Sequence, residues 1–109
     1  MSNKNNEMPS ADHVAKVLAN ELKPKVKYIT NADPRLTLED AQNFIGGYVE
    51  RVKLIDGRRM LVDEDGKLKK LPINKEATDI LNKSGTYPFM YNVLGNVIVI
   101  ESNVRKGGW

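Results

Sequence analysis

The pattern of apolar residues predicts an α+β domain: a small, mainly antiparallel sheet of four to five strands, with a central meander over 48–71, and two to three helices. Three observations carry this. Val14, Val17, Leu18 and Leu22, and again Leu38, Ala41, Phe44 and Ile45, recur at helical spacing. The stretch from Tyr48 to Leu71 reads as short β-rich runs broken by Asp56-Gly57 and Asp65-Gly66. Val97-Ile98-Val99-Ile100 is an unbroken run of β-branched residues, as expected of a strand buried on both faces near the sheet centre.

Taken in order, residues 1–9 are polar and Asn-rich and predict a flexible tail with no apolar stretch like that of a signal peptide. Ser10 caps a helix that Pro24 ends, because Lys23 before it is pushed out of the helical region. Lys25 to Thr30 reads as a short strand, suited by its lysines to a sheet edge. Thr37 opens a second helix as the N-cap of a capping box with Asp40, and Gly46-Gly47 stops it. Tyr48–Ile55, Arg58–Asp63 and Leu68–Leu71 are the three strands of the meander. In the first of them, Tyr48, Glu50, Val52 and Leu54 share one face, and Val49, Arg51 and Lys53 share the other. Asp56-Gly57 predicts a two-residue turn with both residues left-handed. Asn74 caps a short helix from Lys75 to about Leu81, with Ala77, Ile80 and Leu81 inward. Residues 84–93 read as a loop, and 105–109 as a basic, Gly-rich tail. The organisation is thus a single domain over 10–104 with a tail at each end.

Composition narrows the function classes. With 40% hydrophobic and 28% charged residues the chain is globular rather than disordered. It has no cysteine, which excludes disulfides, thiolate metal sites and a thiol nucleophile and fits a cytoplasmic setting. No apolar run approaches the roughly 20 residues of a membrane helix, so no membrane partner is expected. The net charge of +3 points only weakly to anionic partners. A domain of this size buries only about two-thirds of its unfolded surface, which favours a homo-oligomer, a homodimer first.

Several stretches are familiar as a set. They are Ile45-Gly46-Gly47-Tyr48-Val49-Glu50, then Leu61 to Leu68, then Leu71-Pro72-Ile73-Asn74, then Ala77-Thr78, and finally Gly95 to Ile100. Together they resemble an uncharacterised family of small proteins from phages, plasmids and gut bacteria. Its pattern is a helix entering "GGY-x-E", a "NEEGKL"-like hairpin, "LP-x-N" and a closing "G-x-x-x-V" strand. The likeness covers roughly 36–101. The chain departs from it with Val-Asp-Glu-Asp-Gly at 62–66 and with the additional helix at 10–23. The resemblance implies a mobile-element setting, where small accessory proteins counter host defence by sequestering a signal molecule or blocking a host protein; it implies no chemistry.

No catalytic constellation is legible, and neither an enzyme nor a cofactor is expected. Asp63-x-Asp65-Gly66 has the start of a calcium loop without its later acidic positions, so it reads as a turn. His13 is the single histidine, too few for a usual zinc site. Glu50 has two readings: a carboxylate on an apolar face with a raised pKa, or a solvated residue paired across to Arg58 or Arg59. For a nucleotide-like ligand the candidates are Tyr87, Phe89, Tyr91 and Asn92, with Arg105 joining from the tail or from a second subunit: aromatics stack a base, the amide offers hydrogen bonds, and the guanidinium takes phosphate. Lys106 and Trp109 are further tail candidates. For nucleic acid the candidates are Arg51 and Lys53 on one strand face, continued by Lys67 and Lys69. The leading expectation is an accessory binding protein that sequesters a nucleotide-type signal. The alternatives are a nucleic-acid-binding module and an inhibitor that blocks a host protein with an exposed strand edge.

Overall fold

A computed structural model describes residues 23–84 and 92–109. The tail at 1–9, most of the helix read over 10–23, and Tyr87, Phe89 and Tyr91 lie outside the described residues.

Four strands form one sheet: β1 (Val26–Ile29), β2 (Val49–Lys53), β3 (Arg59–Asp63) and β4 (Val97–Ile100). Among the described residues two α-helices accompany them, α1 (Leu38–Ile45) and α2 (Lys75–Ser84). The strand order is β1-β4-β3-β2. β1 runs parallel to β4, and the other two pairings are antiparallel. The chain is therefore an α+β fold with a mostly antiparallel sheet. β4 sits inside the sheet with all four residues fully buried, as its β-branched run requires.

Local chemistry sets most of the boundaries. Thr37 Oγ1 accepts the N–H of Asp40 at 3.0 Å, forming the Thr37 half of the capping box. α1 closes at Gly46, whose φ of 93° is left-handed and whose N–H donates to Gln42 O at 2.7 Å. The β2–β3 connection differs from the expected turn. Leu54 N–H donates to Arg58 O (2.9 Å) and Gly57 N–H to Leu54 O (3.0 Å), which closes a three-residue loop. Among its residues only Gly57 has positive φ. A three-residue loop needs a left-handed residue at its last position alone. Asp56 is thereby free to accept from Arg58 N–H (3.0 Å) and Nε (2.8 Å). Desolvation acts upward on its carboxyl, but these bonds outweigh it and hold the pKa below the ordinary value.

The expected third strand of the meander, Leu68–Leu71, does not form, and this reading is corrected. Residues 64–70 are successive turns. Asp63 Oδ1 accepts Asp65 N–H (2.8 Å), Lys69 N–H donates to Asp65 O (2.9 Å) and Leu71 N–H to Gly66 O (3.1 Å). Those bonds use the donors a strand would need. The second edge of β3 is taken by β4 instead, which buries all its side chains, whereas Leu68 would bring little and stays 83% exposed.

The sheet carries an apolar cluster on each face. On the first face Leu61, Ile98 and Ile100 pack with Ala41 and Ile45 of α1, and Trp109 folds back against this cluster with Nε1 donating to Leu36 O at 2.9 Å. On the second face Met60, Val62, Val97 and Val99 pack with Ala77 and Leu81 of α2. Asn74 caps α2 as expected, its Oδ1 accepting Ala77 N–H at 3.0 Å, and the helix continues to Ser84.

Tyr28, on the second face of β1, donates its hydroxyl to Glu76 of α2. That bond, then burial, then the charge of Glu76, push the phenol up to about 12. A pKa above the unfolded value of about 10 means that the native state holds the proton longer. The contribution is therefore complete below pH 10 and is lost as pH rises from 10 towards 12. Urea unfolding across that range is expected to show a steeper alkaline loss of stability for the parent than for Tyr28→Phe; parallel curves would contradict the linkage.

Candidate functional site

The first sheet face holds a group of arginines at the hairpin end of the sheet. Arg59 lies on β3 with the same parity as Leu61, which directs it onto that face, and it is only 9% exposed. Its Nη1 donates to Glu101 O (3.1 Å) and Ser102 O (3.3 Å), and its Nη2 to Val104 O. Its Nε is buried with no partner. Arg105 donates to two of the same oxygens, Ser102 O and Val104 O. Two guanidiniums therefore meet on the carbonyls of one short loop. Arg51 is on the neighbouring strand, on the same face and one pair removed from Arg59, and its Nη1 donates to Trp109 O at 2.8 Å. Lys53 is directly opposite Arg59 in the register.

Among the described residues no Asp or Glu side chain is in ion-pair contact with Arg51, Arg59 or Arg105. The described ion pairs are Arg58–Asp56 and Lys69–Asp63, both at 2.8 Å. Burial first, then Arg105 and Arg51, hold the Arg59 guanidinium below its ordinary pKa, though an arginine stays charged. The chemical consequence is a concentration of positive charge and planar N–H donors suited to a phosphate or carboxylate.

This arrangement joins residues that the sequence assigned to two different sites. Arg51 and Lys53, read as nucleic-acid contacts, share the face with Arg105, read as a nucleotide contact. Lys67 and Lys69 do not extend it on a further strand, because the strand meant to carry them is absent. Lys69 is exposed but neutralised, with Nζ 2.8 Å from Asp63 Oδ2 and 3.2 Å from Gly46 O. Gly47 makes room for it, since a Cβ there would stand 2.4 Å from Lys69 Nζ. Lys67 is exposed and lines a cleft on the second face.

Asn92 lines that same cleft, next to Val93 of the second cluster, whereas Arg105 follows Val104 of the first cluster. The sheet separates the two residues within one chain, so Asn92 and Arg105 of the same copy do not face one ligand. The cleft has a volume of 470 Å³, an apolar floor that includes Val52, Met60 and Val62, and Glu50, Glu64, Lys67 and Asn92 as polar groups. Glu50 is exposed at its edge. The pairing read for it does not occur: Arg58 is held by Asp56 and Arg59 by the loop carbonyls. More carboxylate than cationic charge in this cleft disfavours a phosphate.

The sequence offers Arg59 as a partner for Glu50 and as one of several cations over 51–75, not as a residue of this face. Its parity with the buried Leu61 was the available signal: an arginine directed at a core face must find acceptors there. Among the described residues no group of three His, Asp or Glu is placed to hold a metal ion, and no helix is long and apolar enough to cross a membrane.

No curated protein and no solved structure matches the chain. One family model does, over residues 13–108, and by that match the chain belongs to the DUF3846 family, a domain of unknown function.

Proposed function

We propose that the chain is a non-enzymatic binding protein that captures a phosphate-bearing, nucleotide-type ligand on its arginine face. The observation behind this reading is the convergence of Arg59 and Arg105 on the carbonyls of Ser102 and Val104, beside Arg51, with no Asp or Glu side chain among the described residues ion-paired to any of the three. Like charges held this close repel, and an anion that joins them removes the repulsion while gaining charge-assisted hydrogen bonds. Arg59 acts as the positioning residue, clamped to the loop. Arg105 and Arg51 keep donors free for the ligand, and Lys53 adds charge. In the mobile-element setting that the resemblance implies, binding without turnover would withdraw a signal nucleotide from its receptor, which is the leading anti-defence reading; a host-protein partner is the other.

Thermal-shift and calorimetric titrations with nucleotides, including cyclic nucleotides, and with their parent nucleosides test the reading. A phosphate-bearing nucleotide is expected to raise Tm and the nucleoside is not. Arg105→Ala is expected to weaken nucleotide binding by about tenfold or more, the value of one charge-assisted hydrogen bond, with Tm of the free protein nearly unchanged. Equal binding of nucleotide and nucleoside, or an Arg105→Ala variant with undiminished affinity, would refute it. The nucleic-acid reading uses the same phosphate chemistry at Arg51 and Lys53. It is favoured if short single-stranded DNA binds more tightly than any nucleotide, with log affinity falling against log salt at a slope of about −2 for three phosphate contacts.

A further inference from the structure

We infer that the open edge of β2 takes an extended peptide strand of a protein partner, with acidic and apolar residues in alternation. Glu64 N–H donates to Tyr48 O and Leu54 N–H to Arg58 O, both at 2.9 Å. With the register of β2 on β3, the residues bonded to β3 are therefore Tyr48, Glu50, Val52 and Leu54. Val49, Arg51 and Lys53 turn their N–H and C=O groups outward. β2 is last in the strand order, and among the described residues no backbone group meets this edge.

The side chains decide what fits. A strand that bonds to the outward groups sets its own residues directly opposite Val49, Arg51 and Lys53 on the first face. Acidic residues at every second position satisfy them. The intervening positions fall on the second face, beside exposed Tyr48 (70%), exposed Glu50 and half-buried Val52. Apolar side chains suit the places beside Tyr48 and Val52. A second copy of the chain is a poor occupant. Antiparallel pairing centred on Arg51 or Val52 sets Arg51 against Arg51 or Lys53, and pairing centred on Glu50 sets Glu50 against Glu50; like charges opposite one another oppose pairing.

The inference stands on the free backbone edge and not on the Arg59–Arg105 pair, so the two readings fail separately. The probe is a synthetic peptide of alternating Glu and Val, compared with the same peptide N-methylated at the amides that face β2. The parent peptide is expected to bind at least tenfold more tightly than the methylated one. It is expected to slow amide exchange at Val49, Arg51 and Lys53 and to leave Glu50 and Val52 unchanged. Arg51→Glu/Lys53→Glu, checked for folding by circular dichroism, is expected to reject the Glu/Val peptide and bind a Lys/Val one. Arg105→Ala is expected to change peptide affinity by less than threefold while weakening nucleotide binding by about tenfold or more. Equal binding of the parent and methylated peptides would reduce the face to a charged surface and overturn the inference. So would the absence of binding, or protection of the same amides by protein concentration alone, which would assign the edge to a second copy.

Discussion

Asn74→Ala is expected to lower the unfolding free energy by roughly 2–4 kcal/mol, a large share of the total for a domain of this size. The side chain is 2% exposed and its bonding capacity is spent on three elements. Oδ1 caps α2 at Ala77 N–H (3.0 Å), and Nδ2 donates to Gly95 O (2.8 Å) and Lys25 O (3.1 Å). The asparagine thus ties the start of α2 to the entry of β1 and to the turn before β4. Loss of the cap accounts for about 1 kcal/mol, and a buried carbonyl left without its donor for about 1–3 more. Two further variants separate these contributions. Asn74→Ser retains a capping oxygen and is expected to recover about 1 kcal/mol. Asn74→Asp retains the cap but aims a carboxylate at two carbonyl oxygens, and is expected to be less stable than Asn74→Ala at pH 7. Urea unfolding at fixed pH reads all three. A loss under 1 kcal/mol for alanine, or aspartate outranking alanine, would mean that the amide is not the tie described.

The motif residues that carry the family resemblance are largely of this kind. Gly46 and Gly47 end α1 and admit Lys69, Asp63 holds that lysine, and Asn74 and Gly95 join two elements. They build the scaffold, and the arginine face lies mostly outside them. Features set by neighbouring residues were legible in the sequence: the Thr37 cap, the Gly46 stop, the four-residue core strand and the two faces of β2. Features set by distant pairing were not. Nothing local tells Leu68–Leu71 from Val97–Ile100 as the partner of β3; the choice rests on which strand buries more apolar surface. The loop carbonyls that hold Arg59 lie more than forty residues along the chain. Nor does the sequence show that the segments before and after β4, which carry Asn92 and Arg105, pack on opposite faces.

Arg59→Leu is expected to release the loop at 101–104 and the tail behind it, with a net loss of about 2–4 kcal/mol. Leucine matches the burial of the site but returns no donor, so the carbonyls of Glu101, Ser102 and Val104 lose their partner. Each is worth about 1–3 kcal/mol, toward the lower end where water can replace the guanidinium. Removing a charge that faces Arg51 and Arg105 acts in the opposite direction, by about 1 kcal/mol at the dielectric of a partly exposed site. The lost bonds therefore win. The two effects separate with salt: screening relieves the arginine repulsion in the parent and has less to relieve in the variant, so the stability gap is expected to widen as ionic strength rises. Trp109 is the only tryptophan and packs against the first cluster, so its emission reports the tail directly. A red shift in native buffer with far-ultraviolet circular dichroism retained is the expected signature. Arg59→Lys should resemble leucine more than arginine, because one ammonium cannot span three carbonyls on a fixed loop. An unshifted Trp109 spectrum in both variants would show that the tail is held by apolar packing alone. A gap that narrows with salt would show that the arginines are already neutralised, which would remove the electrostatic basis for placing an anion among them.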